Sequence, residues 1–384
     1  MNKSTTSKVL PVLFGFFIMG FCDVVGITSA HVKNDFGLSD TMSNMIPVAL
    51  FSMFLLFSIP TGILMNKIGR KRTVLASNVI TIIAMFLPLI GYSFAISLVA
   101  FALLGIANTI LQVSLNPLLT NVVKGNMLTS NLTAGQFIKA ISSFSAPFIA
   151  VFATEYLGSW QMIFPIYAGI TVLSTIWLMS TPIEELDVQN KISTFSEVFD
   201  LLKDKTIFQL FLGILFVVGV DVGLNTVASK VLMERCGLQI ADAGYGSSIY
   251  FAFRTIGAFT GTYFLAKFSS ERFFKINVLI AILAIVVLIF TSSKFLIFAL
   301  YGIIGFSISN VFPIIYAHAI FLRPNKTNEI SGLMITGVIG GAIIPVIMGL
   351  LSDAFHSQVG ALIVILISSL YLLYCAFVVA EKKL

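Results

Sequence analysis

Long apolar runs alternate with short polar ones from one end of the chain to the other. Mainly apolar stretches fall at roughly 9–30, 42–66, 73–92, 94–122, 128–154, 161–181, 206–229, 243–266, 273–291, 295–322, 329–353 and 358–380. An α-helix rises about 1.5 Å per residue, so about 20 such residues cross the hydrocarbon core of a bilayer. The pattern predicts an all-α membrane protein with twelve transmembrane helices. The first run, closed by Lys8 and His31, is too long for a removable signal and no clear small-residue cleavage site follows it, so it is expected to stay as span one.

The polar stretch "TPIEELDVQNKISTFSEVFDLLKDK" separates the sixth and seventh runs. Thr194 and Glu197 have capping-box spacing there, and Val198, Leu201 and Leu202 share one helical face. A short cytoplasmic linker helix is expected within 182–205, between an N-terminal six-helix bundle (1–181) and a C-terminal one (206–384).

The two halves resemble each other. "LFGFFIMGFCDVVGITSA" (13–30) lies over "FLGILFVVGVDVGLNTVA" (211–228), pairing Gly15 with Gly213 and Asp23 with Asp221. "FGLSD" (36–40) answers "CGLQIAD" (236–242), "LMNKI" (64–68) answers "FLAKF" (264–268), and "LLGIAN" (103–108) answers "IIGFSISN" (303–310). A period near 200 residues indicates two parallel six-span repeats, the sequence sign of a major facilitator fold.

Composition agrees with that reading: 58% of residues are apolar and only 10% charged. With the N-terminus inside, seventeen of the 23 Lys and Arg residues fall in cytoplasmic segments. Lys33, Lys230, Arg235 and Lys294 fall outside, and Lys139 and Arg254 lie within spans. This asymmetry places both termini in the cytoplasm, for a multi-pass protein of the cell inner membrane. The net charge of +6 follows from basic inner loops beside anionic lipid and calls for no nucleic acid. Cys22, Cys236 and Cys375 lack metal-ligand spacing, and there is no CxxC, HExxH or Walker-type motif. No cofactor, metal or enzyme activity is expected.

Ionisable and amide groups inside the spans are the candidate functional residues. A charge at the bilayer centre costs roughly 2.5–3.5 kcal/mol on insertion scales, so it normally faces a bundle interior or a cavity. Asp23 is the only charge in span one, and Lys139 in span five is its simplest partner. Asp221 in span seven and Arg254 in span eight repeat that logic, with Asn225, Ser247 and Tyr250 beside them. Span four carries Asn108, Gln112 and Asn116 at i, i+4 and i+8, a stripe that either joins helices or faces a solute. Asn116 precedes Pro117, which removes a backbone hydrogen bond and favours the solute reading for Gln112 and Asn116. Gln136 lies one turn before Lys139. Span ten adds Asn310, Tyr316 and His318, the histidine being explained by an interfacial position near the span end. Interfacial anchoring also explains Trp160 and Trp177.

The loop after span two, "GILMNKIGRKR" (62–72), resembles the major facilitator loop signature at Gly62, Lys67, Gly69, Arg70 and Lys71. Asn66 stands where that signature has an aspartate that helps latch the bundles, so the resemblance implies a weakened latch. Beyond this loop, "LQVSLNPLLTNVV" (111–123), "NVFPIIYAHAI" (310–320) and "SGLMITGVIGGAIIPVIMGLLSDA" (331–354) resemble spans four, ten and eleven of the fucose–proton symporter family. Gly340, Gly341, Pro345, Gly349, Ser352 and Asp353 carry the most specific part.

That resemblance implies a transporter that moves a monosaccharide by alternating access, coupled to protons; the interior charges themselves make Asp23 and Lys139 the expected coupling pair. Gln112, Asn116, Gln136, Asn108, Asp221, Asn225, Tyr250, Arg254 and Asn310 are the expected sugar-binding groups, and Gly62, Asn66, Gly69, Arg70 and Lys71 the gating loop. Sugar, proton and membrane lipid are the expected partners, and a monomer is the superfamily default. Two departures bear on coupling. Gln112 replaces a glutamate implicated in proton coupling, and the family's span-one aspartate falls about one turn further along, near Gly26 or Ile27. Sodium-coupled and uncoupled sugar transport therefore stay open beside proton symport. A drug or metabolite exporter is the alternative within transporters, although "AGQFIKAISSFSAPFIA" lacks the glycine-proline-rich span-five signature of exporters. A non-transporting sugar sensor is the alternative outside them.

Overall fold

The computed structural model describes residues 3–38, 42, 45–123, 127–185, 195–238, 243 and 245–381, and all regular structure among them is helical. Span one comprises Lys3–Met19, a 3₁₀ turn at Gly20–Val24, and Val25–Phe36. Spans two to six are Met45–Ile68, Arg70–Ile90, Phe94–Val122, Met127–Leu157 and Ile163–Ser180. Spans seven to nine are Lys205–Cys236, Tyr245–Lys267 and Ser270–Phe290. Span ten is broken into Lys294–Ile308 and Val311–Leu322. Span eleven is Thr327–Thr336, a 3₁₀ turn at Gly337–Ile339, and Gly340–Phe355; span twelve is Val359–Glu381. The twelve apolar runs thus correspond to twelve helical segments. Eleven are apolar and long enough to cross a membrane by composition alone; Tyr245–Lys267, with its polar stripe and Arg254, falls short of that measure.

Several helices run past their apolar cores, because backbone hydrogen bonding continues where polar side chains reach the interface. Their starts are capped locally. Ser93 accepts from the Ile96 N–H at 3.2 Å to begin span four, and Asp204 accepts from the Thr206 N–H at 2.9 Å to begin span seven. In the linker, Phe195–Asp200 is helical and Leu201–Lys203 is a 3₁₀ turn, with Val198 and Leu201 buried. The capping-box candidate Thr194 lies outside the described residues.

Cα packing divides the chain into two compact units. The first comprises Met1–Asn131, Ile138–Phe199 and Asn325–Thr336; the second comprises Leu132–Phe137, Asp200–Pro324 and Gly337–Leu384. The first half of span eleven is therefore a packed member of the first unit, lying on spans two and four. Phe16, Phe21, Phe54, Phe101 and Tyr167 are fully buried in the first unit, and Tyr250, Phe274, Tyr301 and Tyr316 in the second. Leu56, Ile83, Phe148 and Ile176 of the first, and Leu283, Val346 and Leu350 of the second, are exposed, the distribution expected when lipid is the solvent.

The repeat read from the sequence recurs in packing. Gly15 abuts Leu115 in the first unit, and Gly213 abuts Ile315 in the second. Gly105 meets the Leu50 carbonyl as Gly305 meets that of Tyr250. At the end remote from the Lys/Arg-rich loops, Asp35 accepts from Tyr92 Oη at 2.6 Å and Trp160 Nε1 at 2.9 Å. Glu234, its counterpart, accepts from Ser357 Oγ at 2.6 Å and the Gln358 N–H at 2.8 Å. Each half thus ties the end of its first span to the start of its last. This corrects the reading of Trp160 as an interfacial anchor: the indole is buried, hydrogen-bonded and stacked on His31. His318 is likewise buried within the protein.

Candidate functional site

Span one leaves α-helical geometry at the turn that carries Asp23. Gly20 opens the 3₁₀ turn and lets spans one and five touch backbone to backbone. A Cβ there would lie 2.6 Å from Ser142 Cβ and 2.8 Å from the Lys139 carbonyl oxygen. Short 3₁₀ segments within longer helices often mark hinges. Within the turn, Asp23 accepts a hydrogen bond from the Ser143 hydroxyl through Oδ2, and the Cys22 thiol approaches Oδ1 at 3.4 Å. Lys139, one turn before Ser143, is half-buried and acts electrostatically on the adjacent Cys22, while Asp23 acts on Tyr167 of span six.

The span-four stripe runs into the same break. Asn108 donates from Nδ2 to the Met19 carbonyl at 2.9 Å, the last carbonyl before the 3₁₀ turn. Gln112 donates from Nε2 to Asn108 Oδ1 at 2.7 Å, and Asn116 donates from Nδ2 to the Gln112 carbonyl at 2.9 Å. All three amides are buried, and Asn116 Oδ1 has no hydrogen-bond partner among the described residues. Asn108 is thus occupied in joining span four to span one, whereas Asn116 keeps a buried acceptor in reserve. Gln136, one turn before Lys139, is half-buried.

The second unit holds the related constellation. Asp221 pairs with Arg254 Nη2 at 2.8 Å through Oδ2 and accepts from Tyr250 Oη at 2.5 Å through Oδ1. Arg254 and Asp221 are about one-fifth exposed, while Tyr250 is fully buried. Ser247 donates to the Asn225 carbonyl at 3.0 Å, bringing spans seven and eight together one turn away. Asn310 stands at the break in span ten, donates from Nδ2 to the Gly257 carbonyl at 2.9 Å and fills the notch left by Gly261. Its Nδ2 thus joins spans eight and ten, while its buried Oδ1, like that of Asn116, has no hydrogen-bond partner among the described residues.

The signature loop lies at the Lys/Arg-rich end of the first unit. Gly69 has φ of +86°, and the Glu185 carboxylate occupies the space a side chain there would need. Glu185 accepts from the Arg70 and Lys71 N–H groups at 2.9 and 2.8 Å, capping span three. Lys71 Nζ donates to the Thr181 carbonyl at 2.7 Å. Arg70 donates through Nη1 to the Pro117 carbonyl at 3.1 Å and to Thr120 Oγ1 at 2.9 Å, and through Nε to Asn328 Oδ1 at 2.8 Å. Asn66 donates to Glu329 Oε1 at 2.9 Å and accepts from Asn328 Nδ2 at 2.6 Å. Gly62 and Gly332 meet backbone to backbone beneath them. A carboxylate is therefore present beside Asn66, carried by span eleven instead of the loop. At the same end of the second unit, burial pushes the Asp204 carboxyl upward. The Arg323 hydrogen bond and the Ile207 and Thr206 N–H groups outweigh burial and hold it below the usual carboxylate value.

The Major Facilitator Superfamily profile matches residues 12–338. The chain belongs to this superfamily. Among curated proteins it is similar to the glucose/galactose transporter of Brucella abortus, 27% identical over 362 residues, covering 88% of this chain and 86% of that protein. It is also similar to the putative glucose/galactose transporter of Helicobacter pylori strain 26695, 26% identical over 375 residues, with 92% and 91% coverage. Among solved structures, a single-residue variant of the E. coli fucose:proton symporter FucP superposes with a TM-score of 0.86 at 16% identity. FucP in an outward conformation gives 0.86 at 17%, and coverage is complete in both cases. At those identities the superposition speaks to the fold.

As a member of a superfamily of transporters, this protein is not an enzyme. The sequence reading missed Ser143 and Glu329 among its interior polar groups. Ser143 sits four residues after Lys139, but serines at 142 and 145 flank it, and only the contact with Asp23 singles it out. Glu329 reads in the sequence as the polar boundary of span eleven, yet it is buried.

Proposed function

We propose that this protein is a secondary active transporter that carries a monosaccharide of the glucose, galactose or fucose type with protons across the cell inner membrane. Both termini are cytoplasmic, and the protein acts as a monomer in lipid. The observation that carries the coupling reading is the carboxylate of Asp23 at the break in span one, hydrogen-bonded to span five through Ser143. Discontinuous helices with an ionisable group at the break suit a site whose charge changes during alternating access. The glucose/galactose names of the Brucella and Helicobacter relatives support the sugar class. Asn116, Gln112 and Gln136 from the N-terminal half of the chain, with Asp221, Asn225, Tyr250 and Arg254 from the C-terminal half, are the hydroxyl-binding candidates. Asn310, with its unpaired Oδ1, is a further candidate, and Asn108 holds spans one and four together.

The test is uptake of labelled glucose, galactose and fucose into proteoliposomes, with and without an inward proton gradient. Asp23→Asn is expected to abolish gradient-driven accumulation while preserving exchange of labelled for unlabelled sugar. Intact accumulation in that variant would remove Asp23 from coupling. Uncoupled or sodium-driven transport is the second reading, favoured by one feature: Gln112 cannot titrate and is committed to Asn108. Uptake that equilibrates regardless of protons would establish it.

A further inference from the structure

Ser143 has one hydroxyl hydrogen and two acceptors. Its Oγ contacts Asp23 Oδ2 on span one, and lies 3.1 Å from the carbonyl oxygen of Lys139, four residues earlier on its own helix. A hydroxyl donates one hydrogen and accepts through two lone pairs. It cannot satisfy both oxygens at once.

We propose that Ser143 is a positioning residue that converts the protonation state of Asp23 into a change in the backbone of span five. This rests on the reading of Asp23 as the coupling carboxylate. With Asp23 ionised, the Ser143 hydrogen goes to the carboxylate, because a hydrogen bond to a charged acceptor is the stronger of the two. When Asp23 takes a proton, its new O–H donates to Ser143 Oγ. The Ser143 hydrogen then turns to the Lys139 carbonyl. The proton stays on Asp23 throughout, and only the direction of two hydrogen bonds reverses.

The receiving carbonyl sits where such a change is felt. A Cβ on Gly20 would meet it at 2.8 Å, so the Lys139 carbonyl is wedged into the notch at the start of the 3₁₀ turn. Serine bonding back to the carbonyl four residues earlier bends helices. Reversal of the Ser143 bond thus acts at the closest approach of spans one and five. The groups about Asp23 are the Cys22 thiol on its own segment, Ser143 on span five and Tyr167 on span six, with Lys139, one turn before Ser143, acting on Cys22.

The experiment compares the parent protein with Ser143→Ala, Ser143→Thr and Asp23→Asn in proteoliposomes. Three quantities are read: proton-driven accumulation of labelled galactose, galactose exchange, and proton uptake on galactose addition. Loss of one charge-assisted bond predicts that Ser143→Ala lowers accumulation relative to exchange by about tenfold, with proton uptake falling in step. Ser143→Thr, which keeps the hydroxyl, restores both. If Ser143→Ala cannot be recovered folded, Ser143→Cys, near in size and a weaker donor, takes its place with the same expectation. Accumulation and exchange falling together, or neither changing, would overturn the proposal. A coupled Asp23→Asn variant would instead overturn the reading of Asp23, whereas an uncoupled Asp23→Asn beside a normal Ser143→Ala overturns only the role of Ser143.

Discussion

Replacing Asn66 by aspartate should unlatch span eleven from span two, although that substitution restores the acid of the superfamily's loop signature. The Asn66 amide donates to Glu329 Oε1 at 2.9 Å, and Glu329 is 5% exposed. Aspartate cannot donate, so two carboxylates would face each other in place of a hydrogen-bonded pair. Like charges about 4 Å apart at an effective dielectric of 20 repel by about 4 kcal/mol. An ordinary aspartic acid takes up a proton at pH 7 at a cost of about 4 kcal/mol, so protonation gives no cheaper escape. The penalty is therefore about 4 kcal/mol, close to a thousandfold in the latch equilibrium.

The assay is thiol labelling of Ser58→Cys in a background without Cys22, Cys236 and Cys375. Ser58 is fully buried, and its carbonyl lies against Gly332 of span eleven, so labelling requires the Thr327–Thr336 segment to lift. Asn66→Asp should raise the labelling rate at least about tenfold, up to the ceiling set by the open form. Asn66→Asp combined with Glu329→Gln should return it to the parent rate, since the donor and acceptor have exchanged sides. An unchanged rate in the single variant, or no recovery in the double, would refute the charge argument.

Three further outcomes are expected. Asn108→Leu removes the donor to the Met19 carbonyl and strands Gln112, costing about 1–3 kcal/mol of stability for each buried polar group left unpaired; thermal unfolding in detergent measures it. Arg254→Ala leaves Asp221 with Tyr250 as its remaining described partner. Loss of the ion pair at a part-exposed position should cost about 1–3 kcal/mol and weaken sugar binding, and Arg254→Ala/Asp221→Asn should recover stability but not binding. Asp204 is held below the ordinary carboxylate value in the folded state. Its contribution is therefore present above that value and is lost as pH falls through the depressed one. Between about pH 6 and pH 3, the parent should lose more thermal stability than Arg323→Ala, in which that contribution is already reduced.

Much of this architecture could be read from the chain alone, because lipid imposes a one-dimensional rule. Every spanning helix needs an apolar run of nearly fixed length, and every charge inside one stands out. The twelve spans, the two repeats and the aspartates at 23 and 221 follow from that rule. The pairing of Asp221 with Arg254 was also foreseeable, since two opposite charges buried in neighbouring spans of one half have few other partners.

What the chain alone left open depends on how helices rotate and approach. Serine is common in membrane helices, so nothing in "AGQFIKAISSFSAPFIA" distinguishes Ser143 until span one brings Asp23 to it. The Asn108–Gln112–Asn116 stripe identified a face, but only packing turned Asn108 to the Met19 carbonyl and left Asn116 Oδ1 unpaired. Glu329 looks like a boundary until folding brings Asn66, more than 260 residues away, against it. Partition into lipid depends on each residue's own chemistry, so the order of residues is enough to say which segments enter the membrane and how often the plan repeats. Which polar groups meet is a matter of packing, because a hydrogen bond needs two partners within about 3 Å and the second partner lies on another helix.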